Sequence, residues 1–220
     1  MADYKILFVD EEEEALEAFE YYVYERNSDN SVELVVKIPN DKLEDLLRYI
    51  ESEKFDAVIT DHKLNEKKSS IEYDGIDLVR EIQKRKELFP CFILTGWDKD
   101  AVENGDDANI VYLKNFEDPQ GDNHATFLDK IKNQIIKYRK KIQDAEDRIL
   151  ELIKKSKTES LIAQEEDELI KLDNFIVSSL DKESMLPEQL KSYQNLEELH
   201  KMINNTDELL EKLQRLSDES

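Results

Sequence analysis

Five short apolar runs, each set apart from the next by a stretch long enough for a helix, constrain this chain more than any other feature. They are "KILFV" (Lys5 to Val9), "VELVVKI" (Val32 to Ile38), "FDAVIT" (Phe55 to Thr60), "CFILT" (Cys91 to Thr95) and "IVYL" (Ile110 to Leu113). Between them the apolar residues change period. Leu16, Phe19 and Val23 fall at helical spacing, as do Leu43, Leu46, Leu47 and Ile50 after Pro39-Asn40-Asp41. Asp74-Gly75 leads into a segment with Ile76, Val79 and Ile82 on one face, and Pro90 stops it. Alternation of this kind predicts an α/β fold: a doubly wound, five-stranded parallel sheet covered on both faces. Right-handed crossovers then bring every strand's carboxyl end to one edge, where such sheets hold their ligands.

The residues that follow the strands are therefore the informative ones. The first run ends in Asp10-Glu11, the third in Asp61, the fourth in Thr95 and the fifth in Lys114, while Pro39-Asn40 after the second carries no obvious chemistry. Three carboxylates in close quarters repel one another unless a cation joins them. Oxygen donors of this kind suit Mg²⁺. One carboxylate can then act as a nucleophile toward phosphorus, with a lysine and a metal neutralising the charge on the transferring group. On that chemistry Asp61 is a phosphoryl acceptor.

The segments "ILFVDEE", "DAVITD", "DGIDLVREI", "FILTG" and "YLKNF", spread from Tyr4 to about Asn133, resemble the receiver domain of two-component response regulators. The resemblance implies a flavodoxin-like sheet with Asp61 as the phosphorylated residue. It implies Mg²⁺ held by Glu11, by Asp10 through water, by Asp61 and by the backbone carbonyl of Lys63. It also implies that Thr95 is the switch hydroxyl and that Lys114 ion-pairs with the phosphate. The chain departs from the family pattern in four places. Asn115 stands where a proline usually follows the lysine, and Gly96 replaces the usual alanine after the switch hydroxyl. Val111 occupies the aromatic switch position, and the loop from Asp61 to Gly75 is several residues longer than typical.

From about Phe127 onward the strand signal is gone. Leu128, Ile131, Ile135, Tyr138, Ile142, Ala145, Ile149 and Leu152 step by alternating three and four residues, the spacing of a coiled-coil seam. A second helix is expected from Thr158 to about Leu180, and a third after Pro187, with a capping box at Asn205 and Glu208 where it can break. The expected division is a receiver domain over 1–126 and a helical output or dimerisation region over 127–220. The first helix of that region continues the last receiver helix. The polar stretch "AQEEDE" (Ala163 to Glu168) favours a loose hairpin or a dimeric coil over a tight bundle.

Composition bounds the partners. The 220 residues carry a net charge of −22, with 38% charged and 39% hydrophobic residues. A field of that sign repels phosphate backbones, so the expectation is no nucleic acid among the partners. One cysteine, no leader-like start and no apolar run of ~20 residues point to a cytoplasmic protein without a membrane contact. The resemblance implies a histidine kinase or phosphotransfer protein as donor, and the helices suit an output protein of unknown identity or a second copy of the chain. His62 reads as a loop residue, His200 as a solvated or half-buried helical one, Cys91 as core, and "KYRKK" (Lys137 to Lys141) as a solvated helix flank. Trp97 suits either a loop anchor or a partner contact. The reading that follows is a phosphorylation-regulated response regulator, not an enzyme beyond its own phosphorylation and dephosphorylation. The alternative is a constitutive scaffold or adaptor whose receiver-like domain does not depend on phosphorylation.

Overall fold

The structure, a computed structural model, describes residues 2–96, 111–113 and 125–180. In chain order its elements are β1 (Tyr4–Val9), α1 (Glu13–Arg26), β2 (Val32–Lys37), α2 (Leu43–Glu53), β3 (Ala57–Asp61) and α3 (Gly75–Arg85). After them come β4 (Cys91–Thr95), β5 (Val111–Leu113), α4 (Phe127–Ser156) and α5 (Ala163–Leu180). The five strands form one parallel sheet in the order β2-β1-β3-β4-β5. This is the flavodoxin-like order, with its crevice where the winding reverses between β1 and β3.

The central strands read as unbroken apolar runs because both of their faces are buried. Leu7, Val9, Val58, Cys91 and Ile93 point into one core, shared with Leu46, Leu47 and Ile50 of α2 and with Leu78, Val79 and Ile82 of α3. Ile6, Phe8, Ala57, Ile59, Phe92 and Leu94 point into the other, against Leu16, Phe19 and Val23 of α1 and Phe127, Leu128, Ile131 and Ile135 of α4. Side chains alternate across a strand, so neighbours along one strand belong to opposite cores. Cys91 is buried as a core residue, and burial pushes its thiol pKa up.

Helix α4 opens on a capping box. The Thr126 side chain accepts from the Asp129 N–H, and the Asp129 carboxylate accepts from the Thr126 N–H. The heptad-like stripe has two successive partners along its length. Leu128, Ile131 and Ile135 face the sheet, and Tyr138 and Ile142 reach the opposite core at the base of β4. Further along, α4 packs on α5 as an antiparallel hairpin, with Lys155 paired to Glu165 and Arg148 to Glu168. Only the second half of the stripe is therefore a helix–helix seam.

The hairpin is not loose. Phe175 of α5 returns to the core that holds Tyr138, whose ring meets Phe89 edge-on at 5.8 Å between centroids. The third expected helix, with His200 and the Asn205–Glu208 box, lies outside the described residues. Among the described residues no helix is long and apolar enough to cross a membrane.

Candidate functional site at the strand ends

Register places the acids. Val9 of β1 pairs with Thr60 of β3, so Asp10 and Asp61 are the next residues on adjacent strands. Asp61 pairs with Leu94 of β4, so Thr95 stands one step beyond it. All three side chains are buried in the sheet edge, with exposures of 0% for Asp10, 7% for Asp61 and 5% for Thr95. Carboxylates are almost never this buried without partners.

Backbone amides supply some of those partners. Oδ1 of Asp10 accepts the Glu12 N–H at 2.9 Å, which turns the chain into α1. Oδ2 of Asp61 accepts the Lys63 N–H at 2.9 Å. Glu11 is turned toward the β3–α3 loop, where its Oε1 accepts the Lys67 N–H at 3.0 Å. Its Oε2 is buried and has no hydrogen-bond partner among the described residues. The Lys67 ammonium sits 2.9 Å from Glu12, and that hydrogen bond raises its pKa, helped by the charges of Glu14 and Glu11.

The floor of the site depends on a close approach. The Gly75 N–H donates to the His62 carbonyl at 2.9 Å, and a Cβ on Gly75 would lie 2.0 Å from the Asp61 carbonyl oxygen. Only glycine lets the first turn of α3 press against the end of β3. Asp74 fixes that turn with a capping box shared with Asp77. A groove of about 680 Å³, lined by Asp41, Ser70, Tyr73, Asp77 and Arg80 among others, lies between α2, α3 and the loop and contains none of the strand-end acids.

The chemistry of the donors suits a small, hard dication: two buried aspartates and a glutamate with one buried oxygen unpartnered. Among the described residues, however, no three acidic, histidine or cysteine groups are gathered closely enough to enclose an ion. Glu11 is the member bonded to the β3–α3 loop, through the Lys67 N–H. Lys114, Asn115 and Trp97 lie outside the described residues, as do the side chains of Val111 and Tyr112. Lys67 and the packing role of Gly75 were not among the residues that the sequence singled out. The only signal for Lys67 was a basic pair, Lys67-Lys68, inside a long loop facing an acidic helix start.

No protein-family model matches the chain, and no curated protein matches it either. Solved structures similar to it include three of RcsB. RcsB from Salmonella enterica serovar Typhimurium, bound to promoter rprA in the presence of the phosphomimetic BeF3−, is 16% identical with a TM-score of 0.43, over 84% of this chain and 94% of that one. The Salmonella typhimurium RcsB response regulator in a study of conformational dynamism for DNA interaction is 15% identical with a TM-score of 0.41, over 89% and 100%. A complex of the two-component response regulator RcsB with DNA is 13% identical with a TM-score of 0.39, over 81% and 92%.

Two of these structures contain DNA, which corrects the expectation that nucleic acid is excluded as a partner. That expectation summed charge over the whole chain, whereas contact with a phosphate backbone is decided locally within a Debye length. Charge in this chain is indeed uneven: helix α4 carries Lys132, Lys137, Arg139, Lys140 and Lys141 within a few turns, with Lys132 paired to Asp29 and Arg139 to Asp56. The resemblance to receiver domains holds at the level of the fold: a parallel sheet in the order β2-β1-β3-β4-β5, with the acids at its carboxyl edge.

Proposed function

We propose that the protein is a phosphorylation-regulated receiver-type regulator in which Asp61 accepts a phosphoryl group from a histidine kinase or phosphotransfer protein. The observation that carries this reading is the set of three buried polar side chains, Asp10, Asp61 and Thr95, on three neighbouring strand ends. A carboxylate oxygen of Asp61 attacks phosphorus, the bond from phosphorus to the donor's imidazole nitrogen breaks, and the imidazole keeps that electron pair. Asp10, Glu11, Asp61 and the Lys63 carbonyl would hold Mg²⁺, which when bound draws charge from the phosphoryl oxygens. The Thr95 hydroxyl donates to a phosphoryl oxygen, and the receiver resemblance assigns the balancing ion pair to Lys114.

Output passes to the helices. Leu94, beside Thr95, shares a core with Phe127, Leu128 and Ile131 at the start of α4. The proposed division into a receiver over 1–126 and a helical region over 127–220 thus has α4 common to both. A movement at the end of β4 has a packed route to the hairpin that α4 forms with α5.

The constitutive scaffold is the second reading, favoured by the bond that already engages Glu11 with the Lys67 amide. Intact mass after incubation with acetyl phosphate and Mg²⁺ separates the two. One phosphoryl adduct that is absent from Asp61→Asn supports the receiver; an unmodified protein supports the scaffold.

A further inference from the structure

We propose that residues 65–70 form a strap that competes with a divalent cation for Glu11, with Lys67 as the positioning residue that sets the affinity. The inference rests on the receiver reading and adds a control element to the same site. The segment "NEKKSS" is exposed at every position, yet it is bounded by Leu64 and Ile71, which are buried in the core at 0% and 3% exposure. A segment tied at both ends by core residues can lift from the surface without unpacking anything.

The inner end of the strap reaches the site. Lys67 touches the start of α1 twice, through its N–H to Glu11 and through its ammonium to Glu12. The outer end is clipped to the other side of the crevice, where Ser70 donates to Asp41 at 2.9 Å and Lys68 pairs with the same carboxylate. Beyond the Ile71 anchor, the Tyr73 hydroxyl donates to the Asn40 carbonyl at 2.7 Å. The strap thus spans from α1 to the loop before α2, across the crevice that faces the acids.

Two features distinguish this from an ordinary surface loop. Glu11 is only half satisfied, since its buried Oε2 has no hydrogen-bond partner among the described residues, whereas an ion can engage the carboxylate fully. The strap also delivers a cation of its own: the Lys67 ammonium pairs at 2.9 Å with Glu12, the residue next to Glu11. In this arrangement the lysine partly substitutes for the dication that the acids demand. Because coupling is reciprocal, a strap that weakens cation binding is itself loosened by the cation to the same extent.

The test is calorimetric titration of the full chain with MgCl₂, comparing wild type with Lys67→Ala and Lys67→Pro. Alanine removes only the ammonium, and Mg²⁺ affinity is expected to rise about two- to fivefold, the worth of an exposed ion pair. Proline also removes the N–H that Glu11 accepts, and the rise is expected to reach about tenfold or more, the worth of a hydrogen bond to a charged group. A second readout is amide hydrogen exchange in peptides covering residues 65–70, which should quicken when Mg²⁺ is added to wild type. Unchanged or weaker affinity in both variants, or slower exchange with Mg²⁺, overturns the strap. If the proline variant melts early, the alanine variant and the exchange experiment decide. An Asp61 adduct with Mg²⁺ affinity indifferent to Lys67 removes the strap and leaves the receiver; absence of both Mg²⁺ binding and adduct removes both.

Discussion

Asp10 and Asp61 close adjacent parallel strands, each one residue past the Val9–Thr60 pair, and both side chains are buried. Parallel neighbours lie about 4.8 Å apart, so two like charges confront each other in the sheet edge. Where no Mg²⁺ is bound, each of these charges weighs against the other. Asp10→Asn keeps the Oδ1 that accepts from Glu12 and deletes one charge. It is expected to raise stability by on the order of 1 kcal/mol in EDTA. In saturating Mg²⁺ the order should reverse, because wild type then gains binding energy that the variant lacks. Urea denaturation under both conditions checks the sign change, and a variant that is less stable in EDTA contradicts the electrostatic account.

The two glycines beside the site should respond oppositely to the same substitution. At Gly75 a new Cβ meets the Asp61 carbonyl oxygen at 2.0 Å, a backbone atom that cannot step aside. Gly75→Ala should cost about 1–3 kcal/mol, as overpacking does, and should displace the acceptor strand's end. At Gly96 a Cβ meets nothing within 4 Å among the described residues. Gly96→Ala should leave stability within about 1 kcal/mol of wild type. Thermal melts of the two variants side by side test the contrast.

What could be read from the sequence follows from which interactions leave a local pattern. The strand from Cys91 to Thr95 and the acid at Asp61 were legible because a strand buried on both faces is an apolar run, and a charge at its end breaks that run. Glu11 was legible as a ligand candidate, but its bond to the amide of Lys67, 56 residues away, was not. A backbone N–H is common to nearly every residue type and marks no position. The stripe from Leu128 to Leu152 was legible as helical, while its change of partner near Tyr138 was not, because sheet and helix accept the same apolar spacing. The return of Phe175 to the core was likewise hidden, since "AQEEDE" at the other end of α5 suggested a helix held only loosely.

The base of the sheet offers a separate test of how α4 is fastened. Asp56 accepts the Lys5 N–H through Oδ2 at 2.8 Å and Arg139 of α4 through Oδ1 at 2.7 Å. Arg139 also donates to the Asp3 carbonyl. The guanidinium side of this arrangement is half exposed, so Arg139→Ala should cost less than about 1 kcal/mol. Asp56→Ala additionally strips a partly buried backbone N–H of its acceptor and should cost about 1–3 kcal/mol. Equal losses for the two variants in urea titrations would show that the strand-end bond contributes nothing beyond the ion pair.

The start of α4 should make stability depend on pH through Asp129. Hydrogen bonds from the Thr126 backbone N–H and then from its hydroxyl favour the ionised carboxylate and lower its pKa in the folded protein. A depressed folded pKa gives stability that is present above the unfolded pKa, about 3.9 for aspartate, and lost as pH falls through the folded value. The charge also lies in the first turn of a 30-residue helix, where the dipole favours a negative group. Asp129→Ala should therefore cost about 1 kcal/mol near neutral pH. The difference from wild type should shrink as the carboxyl protonates below about pH 4. Asp29, whose pKa is lowered by hydrogen bonds from Ser31 and then from Lys132, also shapes the acid limb, and because it and Lys132 act on Asp129 too, the comparison is repeated on an Asp29→Asn background. Urea midpoints of the two proteins across the acid range test the assignment: a gap that stays constant with pH would mean that the cap acts through shape and not through charge.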